Sequence, residues 1–303
     1  MSEASDRPAA RLRLRWRGSD RLFGVTTATF ALAVAAVFAV MVVMLAQRSS
    51  AAWHAFGPSF LWQTGTYTSE SDIFHGARPY LYGTLVTSLL ALVFAVPVAV
   101  GTAVALVELM PRWLAQPVGL FIELLAAVPS IIFGIWGVAV IVPFVHSLNP
   151  TLTGQSLLSA ALVLAIMVLP IMTAVTRDML KAVPRAQREA ALALGATPWE
   201  VTWRIVLPNA RSGITAAAIL GLGRATGETM AVIMVIGFKP EIYTDLFQGG
   251  ATMASVIASD FGEAHALQKS ALIEIGVLML VVSLVLSVSA RLVVRRLGRR
   301  MSA

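Results

Sequence analysis

Apolar residues along this chain fall into six long runs separated by shorter polar segments. Each run has about the ~20 residues that an α-helix needs to cross a lipid bilayer. The pattern therefore predicts an all-α integral membrane protein with six spanning helices, which we number as spans one to six. The predicted spans are Leu22–Ala46, Leu81–Leu109, Pro117–Val145, Leu157–Val175, Gly213–Gly237 and Ala271–Val294.

Spans two and three contain interior prolines, Pro97 and Pro129. A proline inside a helix removes one backbone hydrogen bond, and its ring collides with the preceding turn. In a membrane the freed backbone groups need partners from protein or from water in a cavity. We therefore predict a kink or a break at each of these two positions.

A polar segment between spans four and five, Arg185–Ala210, reads RAQREAALALGATPWEVTWRIVLPNA. Pro184 is suited to the start of a short helix, where its missing N–H is not needed. Gly195 is suited to the left-handed residue that ends a helix. The segment therefore predicts a first short helix between Pro184 and Gly195.

A second short helix is predicted directly after the first. Thr197, Pro198 and Glu200 fit a capping box, with a hydroxyl cap, a proline at the first position and a glutamate that reaches back. Pro208 is expected to close this helix. Two ordered helices in a polar loop are typical of a docking element for another protein.

The same segment resembles the EAA loop of ABC importer permeases. That family has Glu-Ala-Ala, a glycine four residues later and an Ile-x-Leu-Pro group at the end of the loop. The resemblance implies a type I importer permease fold, in which this loop couples the permease to a separate ATPase subunit. The matching residues are Glu189, Ala190, Ala191, Gly195, Ile205, Leu207 and Pro208.

The composition agrees with a membrane protein. Only 13% of the 303 residues are charged, whereas soluble domains average about 25%. Of the 23 lysines and arginines, 18 lie before span one, between spans two and three, between spans four and five, or at the end of span six. The positive-inside rule therefore predicts that both termini and the loop 177–211 face the cytoplasm.

Several kinds of chemistry are not expected of this chain. A P-loop needs a lysine directly after a glycine, and none of the three lysines, Lys181, Lys239 and Lys269, follows a glycine. Any ATP hydrolysis should therefore occur on another polypeptide. The sequence has no cysteine, and its four histidines are far apart, so we expect no metal and no cofactor.

Span five contains two ionisable residues, Arg224 and Glu228. Their spacing of four would put them on one face of a continuous helix. Ionisable residues at membrane depth usually line a solute path, and a guanidinium matches the oxygens of a phosphate. We predict an anion site at Arg224 with Glu228 as its counter-ion, although a purely structural salt bridge is the alternative. The spacing of Gly223 and Gly227 predicts the close approach of another helix.

Three further stretches resemble the PstC family of phosphate-specific transport permeases. They read GLGRATGETMAVIMVIG (221–237), AVPSIIFGIWG (127–137) and MASVIASDFGEA (253–264). The resemblance covers roughly residues 80–303 and implies a bacterial cytoplasmic-membrane permease for inorganic phosphate. The substrate-path residues that it implies are Arg224, Glu228, Thr229 and Ser130, where Ser130 follows the helix-breaking Pro129.

The resemblance also implies partners and a domain arrangement. The partners are a second homologous permease of the PstA type, two ATPase subunits and an extracytoplasmic phosphate-binding protein. We divide the chain into a basic tail (1–21), span one with a long outer loop (22–80), a core transmembrane domain (81–297) and a C-terminal tail (298–303).

Some alternatives remain open at the level of sequence. The chain could be the PstA-like partner subunit, a permease for sulfate or molybdate, or a proton-coupled transporter that uses Glu228 as a relay. An added signalling role is a further alternative. Glu123 is expected either to pair with an intramembrane cation such as Arg224 or to face water. Glu108 and Glu274 lie near span ends, where hydration is expected.

Overall fold

A computed structural model describes residues 18–64, 66–68 and 73–299. Most of the predicted N-terminal tail (1–17) and residues 300–303 of the predicted C-terminal tail lie outside the described residues. The helices are α1 (Gly18–Phe56), α2 (Ser59–Trp62), α3 (Arg78–Val104), α4 (Arg112–Ala126), α5 (Ser130–Trp136), α6 (Val142–Leu148), α7 (Leu157–Lys181), α8 (Arg185–Ala193), α9 (Pro198–Val201), α10 (Leu207–Thr226), α11 (Met230–Val235), α12 (Met253–Asp260) and α13 (Ala266–Arg299).

Two other kinds of element complete the described fold. Wider π-helical turns at Ala105–Leu109, Gly137–Ile141 and Thr202–Val206 extend or join the helices beside them. A short antiparallel pair of strands, β1 (Thr66–Thr68) and β2 (Ile73–His75), aligns Thr66 with His75. The prediction of an all-helical membrane protein is confirmed, with this small hairpin as an addition.

Six helical segments are long and apolar enough to cross a membrane, within the part of the chain that the structure describes. This number confirms the six predicted spans, and the chain is a multi-pass membrane protein. The observed segments are Arg21–Phe56, Arg78–Leu109, Ser130–Leu148, Leu157–Lys181, Pro198–Thr226 and Ala266–Leu292.

The predicted bounds of span three are wrong. The predicted helix Pro117–Val145 is divided at Ala127–Pro129 into α4 and the α5–α6 segment. Pro129 has extended backbone angles, and a proline also disfavours helical angles in the residue before it. The break predicted at this proline is therefore confirmed, and only the second part is a candidate span.

Pro97 does not break its helix. α3 runs without interruption from Arg78 to Val104. Three alanines on one face of α3, Ala91, Ala95 and Ala99, are fully buried in the main core. Small residues allow helices to approach closely in a membrane, and we attribute the continuity of α3 to its packing along α7.

The chain divides into two compact units, residues 1–47 and 48–303. The described part of the first unit is the N-terminal part of α1, whose sequence is apolar all round, as is typical of a lipid-facing helix. In the second unit α7 is the most buried of the spans. Its side chains form the main core with those of α3, α6, α10 and α11.

The two ends of the second unit differ in structure. We call them the α12 end and the α8 end, after the short helix that lies at each. At the α12 end the loop after α11 is tied to the start of α7, since Leu157 N donates to Gln248 O over 3.0 Å. Met253 N at the start of α12 donates to Thr84 Oγ1 over 2.9 Å. In the same loop a hydrogen bond to the Glu241 carboxylate raises the pKa of Tyr243. The α8 end contains the polar segment between spans four and five.

Candidate functional site

The polar segment at the α8 end has the local structure that its sequence predicts. α8 spans Arg185–Ala193 with Pro184 as its N-cap residue, and Gly195 adopts a left-handed φ of 87°. Thr197 and Glu200 form the predicted capping box at the start of α9. Thr197 N donates to Glu200 Oε2 over 3.0 Å, and Glu200 N donates to Thr197 Oγ1 over 3.3 Å.

The prediction that Pro208 closes the second helix is wrong. α9 continues through the π-helical turn Thr202–Val206 into α10, so Pro208 lies inside one long helix, Pro198–Thr226. A proline ring normally collides with the carbonyl four residues earlier, and the wider turn just before Pro208 relieves that contact. The part of the docking segment from Pro198 onward and the first part of span five therefore form one continuous rod.

The surface of α8 and α9 is exposed and partly apolar. None of the residues of α8 is buried, and Leu194 is 89% exposed. The rings of Trp199 and Trp203 are also exposed and stack 6.0 Å apart. Exposed apolar groups rimmed by polar ones are typical of a protein contact surface. Three of the predicted coupling residues, Glu189, Ala190 and Gly195, lie exposed on this surface.

Arg188 joins this surface to two spans, which sequence reasoning did not find. Its Nη1 lies 2.9 Å from Glu108 Oε1 at the end of span two. Its Nη2 donates to Leu180 O near the end of α7 over 2.7 Å. The expectation of a hydrated Glu108 is wrong, because its side chain is only 14% exposed. Since the partners are far apart in sequence, only the local signal, an arginine next to the Glu-Ala-Ala group, was available.

Glu123 pairs with Arg177 of α7 and not with Arg224. Its side chain is half exposed, so it lies at the hydrated α8 end. Gly119, one turn earlier on α4, makes this contact possible, since a Cβ at Gly119 would lie 2.6 Å from Arg177 Nη1. The pair therefore fixes α4 against α7.

Arg224 lies in the last turn of α10 and is half-buried. Its Nε is buried and has no hydrogen-bond partner in the part of the chain that the structure describes. Its neighbours Ala225 and Thr226 are buried, and Ala225 belongs to the main core. A buried donor without a partner is uncommon in proteins, so the Nε–H of Arg224 has an unused capacity to donate a hydrogen bond.

Arg224 and Glu228 do not share one helix face, which corrects the sequence prediction. α10 ends at Thr226, and Glu228 lies in the non-helical link to α11. Glu228 Oε1 accepts a 3.3 Å hydrogen bond from Ala231 N in the first turn of α11. Within the link, Thr229 Oγ1 donates to Gly227 O over 3.4 Å. Among the described residues no ion pair joins Arg224 to Glu228.

Ser130 is brought towards the same link by helix packing. It begins α5, and Gly134 one turn later packs against the start of α11. A Cβ at Gly134 would lie 3.0 Å from Ala231 Cα and 3.3 Å from Met230 O. Only glycine permits so close an approach of two helix backbones. The start of α5 and the Glu228–Thr229 link are thus held by one packed pair, α5 and α11.

The glycines that pack α10 within this chain differ from those we predicted. A Cβ at Gly221 would lie 2.6 Å from Met172 Sδ, and one at Gly213 would lie 2.0 Å from Met179 Cγ. The space beside Gly223 is open, and Gly227 has no tight neighbour. The close contact of α10 with α7 is therefore made at Gly213 and Gly221, while Gly223 and Gly227 lie exposed.

Glu274 on α13 is not hydrated, as its position near a span end had predicted it would be. Its side chain is buried, with 4% of the residue exposed, and neither carboxyl oxygen has a hydrogen-bond partner among the described residues. Hydration at a span end is therefore wrong for this residue. The structure places it in the first turns of α13, towards the α12 end.

Comparisons with known proteins give one consistent family. Residues 95–302 match the family described as binding-protein-dependent transport system inner membrane component. The phosphate transport system permease protein PstC of Pasteurella multocida (strain Pm70) is 43% identical over 296 residues, which cover 91% of this chain and 92% of that protein. PstC of Haemophilus influenzae is 40% identical over 297 residues, 92% of this chain and 94% of that protein.

Solved structures show the same architecture. A subunit of a bacterial alginate ABC transporter, in complex with a periplasmic protein, is similar with a TM-score of 0.62 over 91% of this chain and 94% of that chain, at 17% identity. The MetNI methionine ABC transporter is similar with a TM-score of 0.59 over 72% of this chain and 94% of that chain, at 19% identity. At these identities the likeness shows the fold alone.

Proposed function

Because the chain belongs to the family of binding-protein-dependent transport system inner membrane components, we propose that it is the permease subunit of an ATP-driven importer of inorganic phosphate. The observation that carries this proposal is its identity, over nine-tenths of its length, with permeases of phosphate transport systems. ATP hydrolysis takes place on partner subunits, and no covalent chemistry on the substrate is assigned to this chain.

Arg224 is the residue that we assign to the phosphate path. Its buried Nε has no partner among the described residues, and a guanidinium presents a planar set of donors that matches two phosphate oxygens at once. An anion entering from the α12 end would replace water around this group. Glu228, Thr229 and Ser130 lie at the ends of α11 and α5, and we assign them to the same path.

Glu228 acts in this proposal through the shape of the path. Its carboxylate accepts a hydrogen bond from the first turn of α11 and therefore holds the start of that helix. Displacement of the carboxylate would break this hydrogen bond and free α11 to move relative to α10. We infer that the link 227–229, which contains Glu228 and follows the helix of Arg224, is the hinge of the path.

The α8 end receives the motion of the ATPase subunits. The docking surface consists of α8, which contains Glu189, Ala190 and Ala191, and of Gly195 just after it. Arg188 transfers displacement of α8 to span two through Glu108 and to α7 through Leu180. Pro208 lies in the continuous rod that runs from this surface to Arg224, so rotation of the surface turns the phosphate site as well.

The orientation and partners follow from the same proposal. The excess of lysine and arginine on the α8 side supports a cytoplasmic location for that side and for both termini, in the membrane of a bacterium. A second, homologous permease completes the pore, and the exposed glycines Gly223 and Gly227 are the surface we assign to it. Two ATPases bind from the cytoplasm, and a phosphate-binding protein delivers the substrate from the opposite side.

Uptake by the reconstituted complex tests this function. The chain, a second permease, the two ATPases and the binding protein are placed in lipid vesicles, and entry of labelled phosphate is measured. We expect uptake that requires ATP, that unlabelled phosphate competes with, and that sulfate and molybdate leave unchanged. Equal competition by sulfate would reassign the substrate, and uptake driven by a proton gradient without ATP would reassign the class.

A further inference from the structure

A second region of concentrated positive charge lies at the α8 end, apart from Arg224. A cavity of about 720 Å³ lies between the end of span two, α4, the end of α7 and the start of α8. This volume is within the range of pockets that bind small ligands, roughly 300–1,000 Å³. Five cationic side chains and one carboxylate line it: Arg112, Arg177, Lys181, Arg185, Arg188 and Glu123.

The acids near the cavity neutralise only two of these five cations. Arg177 is paired with Glu123 and touches Asp178 at 3.5 Å, and Arg188 is paired with Glu108. Arg112, Lys181 and Arg185 have no ion pair in the part of the chain that the structure describes. A concave surface lined by unpaired cations raises the local concentration of anions.

Apart from Gln116, the rest of the cavity wall is apolar. Leu106, Val107, Met110 and Leu120 line it beside the cations. Next to it on α4, Trp113 is 75% exposed, as is typical of a ring at a membrane–water interface. Basic pockets between transmembrane helices, at the level of the headgroups, bind the phosphates of anionic lipids. The cavity thus combines anion-binding groups with a surface suited to an amphiphile.

We propose that this cavity binds a phosphate group, held by Arg112, Lys181 and Arg185 and oriented by Arg177 and Arg188. Two sources share this chemistry, the headgroup of an anionic phospholipid and free inorganic phosphate. The site shares no residue with the Arg224 segment, so its failure would leave the proposed import of phosphate unaffected. Only the placement of the site in the cytoplasmic leaflet rests on the proposed orientation.

Occupation of the cavity would stabilise the contact between α4, α7 and α8. Arg188 lines the cavity and also joins α8 to Glu108, so a bound anion would lie beside the link that transmits ATPase motion. The ligand would neutralise the repulsion among the cations and favour the arrangement seen in the structure. The site therefore gives the lipid or the phosphate a way to influence coupling.

Two binding arms distinguish the sources, both with the complete transporter complex. In the first, nanodiscs contain phosphatidylcholine alone or with phosphatidylglycerol, and native mass spectrometry counts the phosphatidylglycerol molecules that the complex retains. In the second, equilibrium binding of labelled inorganic phosphate is measured in the phosphatidylcholine nanodiscs. The test variant is Arg112→Gln with Lys181→Gln, and its control is Arg204→Gln with Arg291→Gln, which removes two charges outside the cavity.

Removal of two cations at a headgroup site predicts a roughly 30-fold loss of affinity for the anion that binds there. A loss in the first arm assigns a lipid, and a loss in the second arm assigns free phosphate. A second variant, Glu123→Gln, removes the one carboxylate of the lining and should tighten binding roughly fivefold. Equal affinities of the test and control variants in both arms, or no tightening by Glu123→Gln, would overturn the proposal.

Discussion

Two arginines of the α8 end are paired with carboxylates, whereas Arg224 of span five has no ion pair in the part of the chain that the structure describes. At the α8 end Arg188 and Arg177 are each held by a carboxylate from another helix. In span five no group among the described residues pairs with the buried Nε of Arg224, and the nearest acid in sequence, Glu228, accepts a hydrogen bond from α11 instead. Paired charges fix the positions of helices, whereas an unpaired buried donor has its capacity free for a solute.

The two regions also differ in whether the helix continues past a helix-breaking residue. Pro208 lies in a continuous helix because a π-helical turn precedes it. Gly227 is followed by two non-helical residues, and α10 ends. Movement applied at α9 can therefore pass along one rod as far as Arg224 and stop at the link. We propose that the first region transmits movement and that the second handles the solute.

Arg224→Gln should have the largest effect. The change removes the positive charge and the bidentate donors that match phosphate, so uptake of labelled phosphate should fall to the level of vesicles without the transporter. Arg224→Lys keeps the charge and should retain a small part of the uptake. Arg291→Gln, on the exposed surface of α13, is the control and should transport normally. Normal uptake by Arg224→Gln would remove this residue from the path.

Arg188→Gln should come next. The change leaves the mostly buried Glu108 without its partner, which costs roughly 2–3 kcal/mol, below the 3–5 kcal/mol of a fully buried pair. The melting temperature of the purified complex and its uptake should both decrease. Adding Glu108→Gln should restore part of the stability, since no charge is then left unpaired. Gln187→Ala, at an exposed position of the same helix, is the control and should leave stability unchanged. A double variant no more stable than Arg188→Gln would contradict the link.

Gly221→Ala tests the contact between α10 and α7. The new methyl would lie 2.6 Å from the sulfur of Met172, a buried side chain with little room to move. Overpacking of this kind costs roughly 1–3 kcal/mol, and the melting temperature should fall. Gly101→Ala is the matched control, because the space around Gly101 is open. Equal melting temperatures for the two variants would show that α10 and α7 are not closely packed at Gly221.

Thr197→Ala should have the smallest effect. Loss of the capping hydroxyl costs about 1 kcal/mol, and amide hydrogen exchange at residues 199–201 should become faster. Thr215→Ala serves as the control, since the Thr215 hydroxyl donates a hydrogen bond to Arg211 O within its own helix and caps no helix end. Faster exchange confined to the Thr197 variant would confirm the cap, and unchanged exchange would contradict it.

Local features were predictable from the sequence because neighbouring residues determine them. The capping box at Thr197, the left-handed Gly195 and the break at Pro129 depend on a few adjacent positions. Six spans were predictable because each needs a long apolar run. Role assignments for Arg224, Glu228 and Ser130 remain predictions.

Features that depend on tertiary contacts were not predictable. The link at 227–229 lies inside the run that predicts span five, and its glycine and threonine are both tolerated in membrane helices. The helix continues through Pro208 because of the π-helical turn before it, and no residue type in the sequence predicts such a turn. The pair of Arg188 and Glu108 joins positions far apart in the chain, and the burial of Glu274 depends on which helices surround it.

The division between transmission at Arg188 and solute handling at Arg224 is the central claim. The direct measurement is the ATP hydrolysed and the phosphate imported by Arg188→Gln and Arg224→Gln complexes in the same vesicles. We predict that Arg224→Gln keeps the stimulation of ATP hydrolysis by the binding protein but imports no phosphate, whereas Arg188→Gln loses that stimulation. Phosphate import by Arg224→Gln, or the same loss of stimulation in both variants, would contradict the claim.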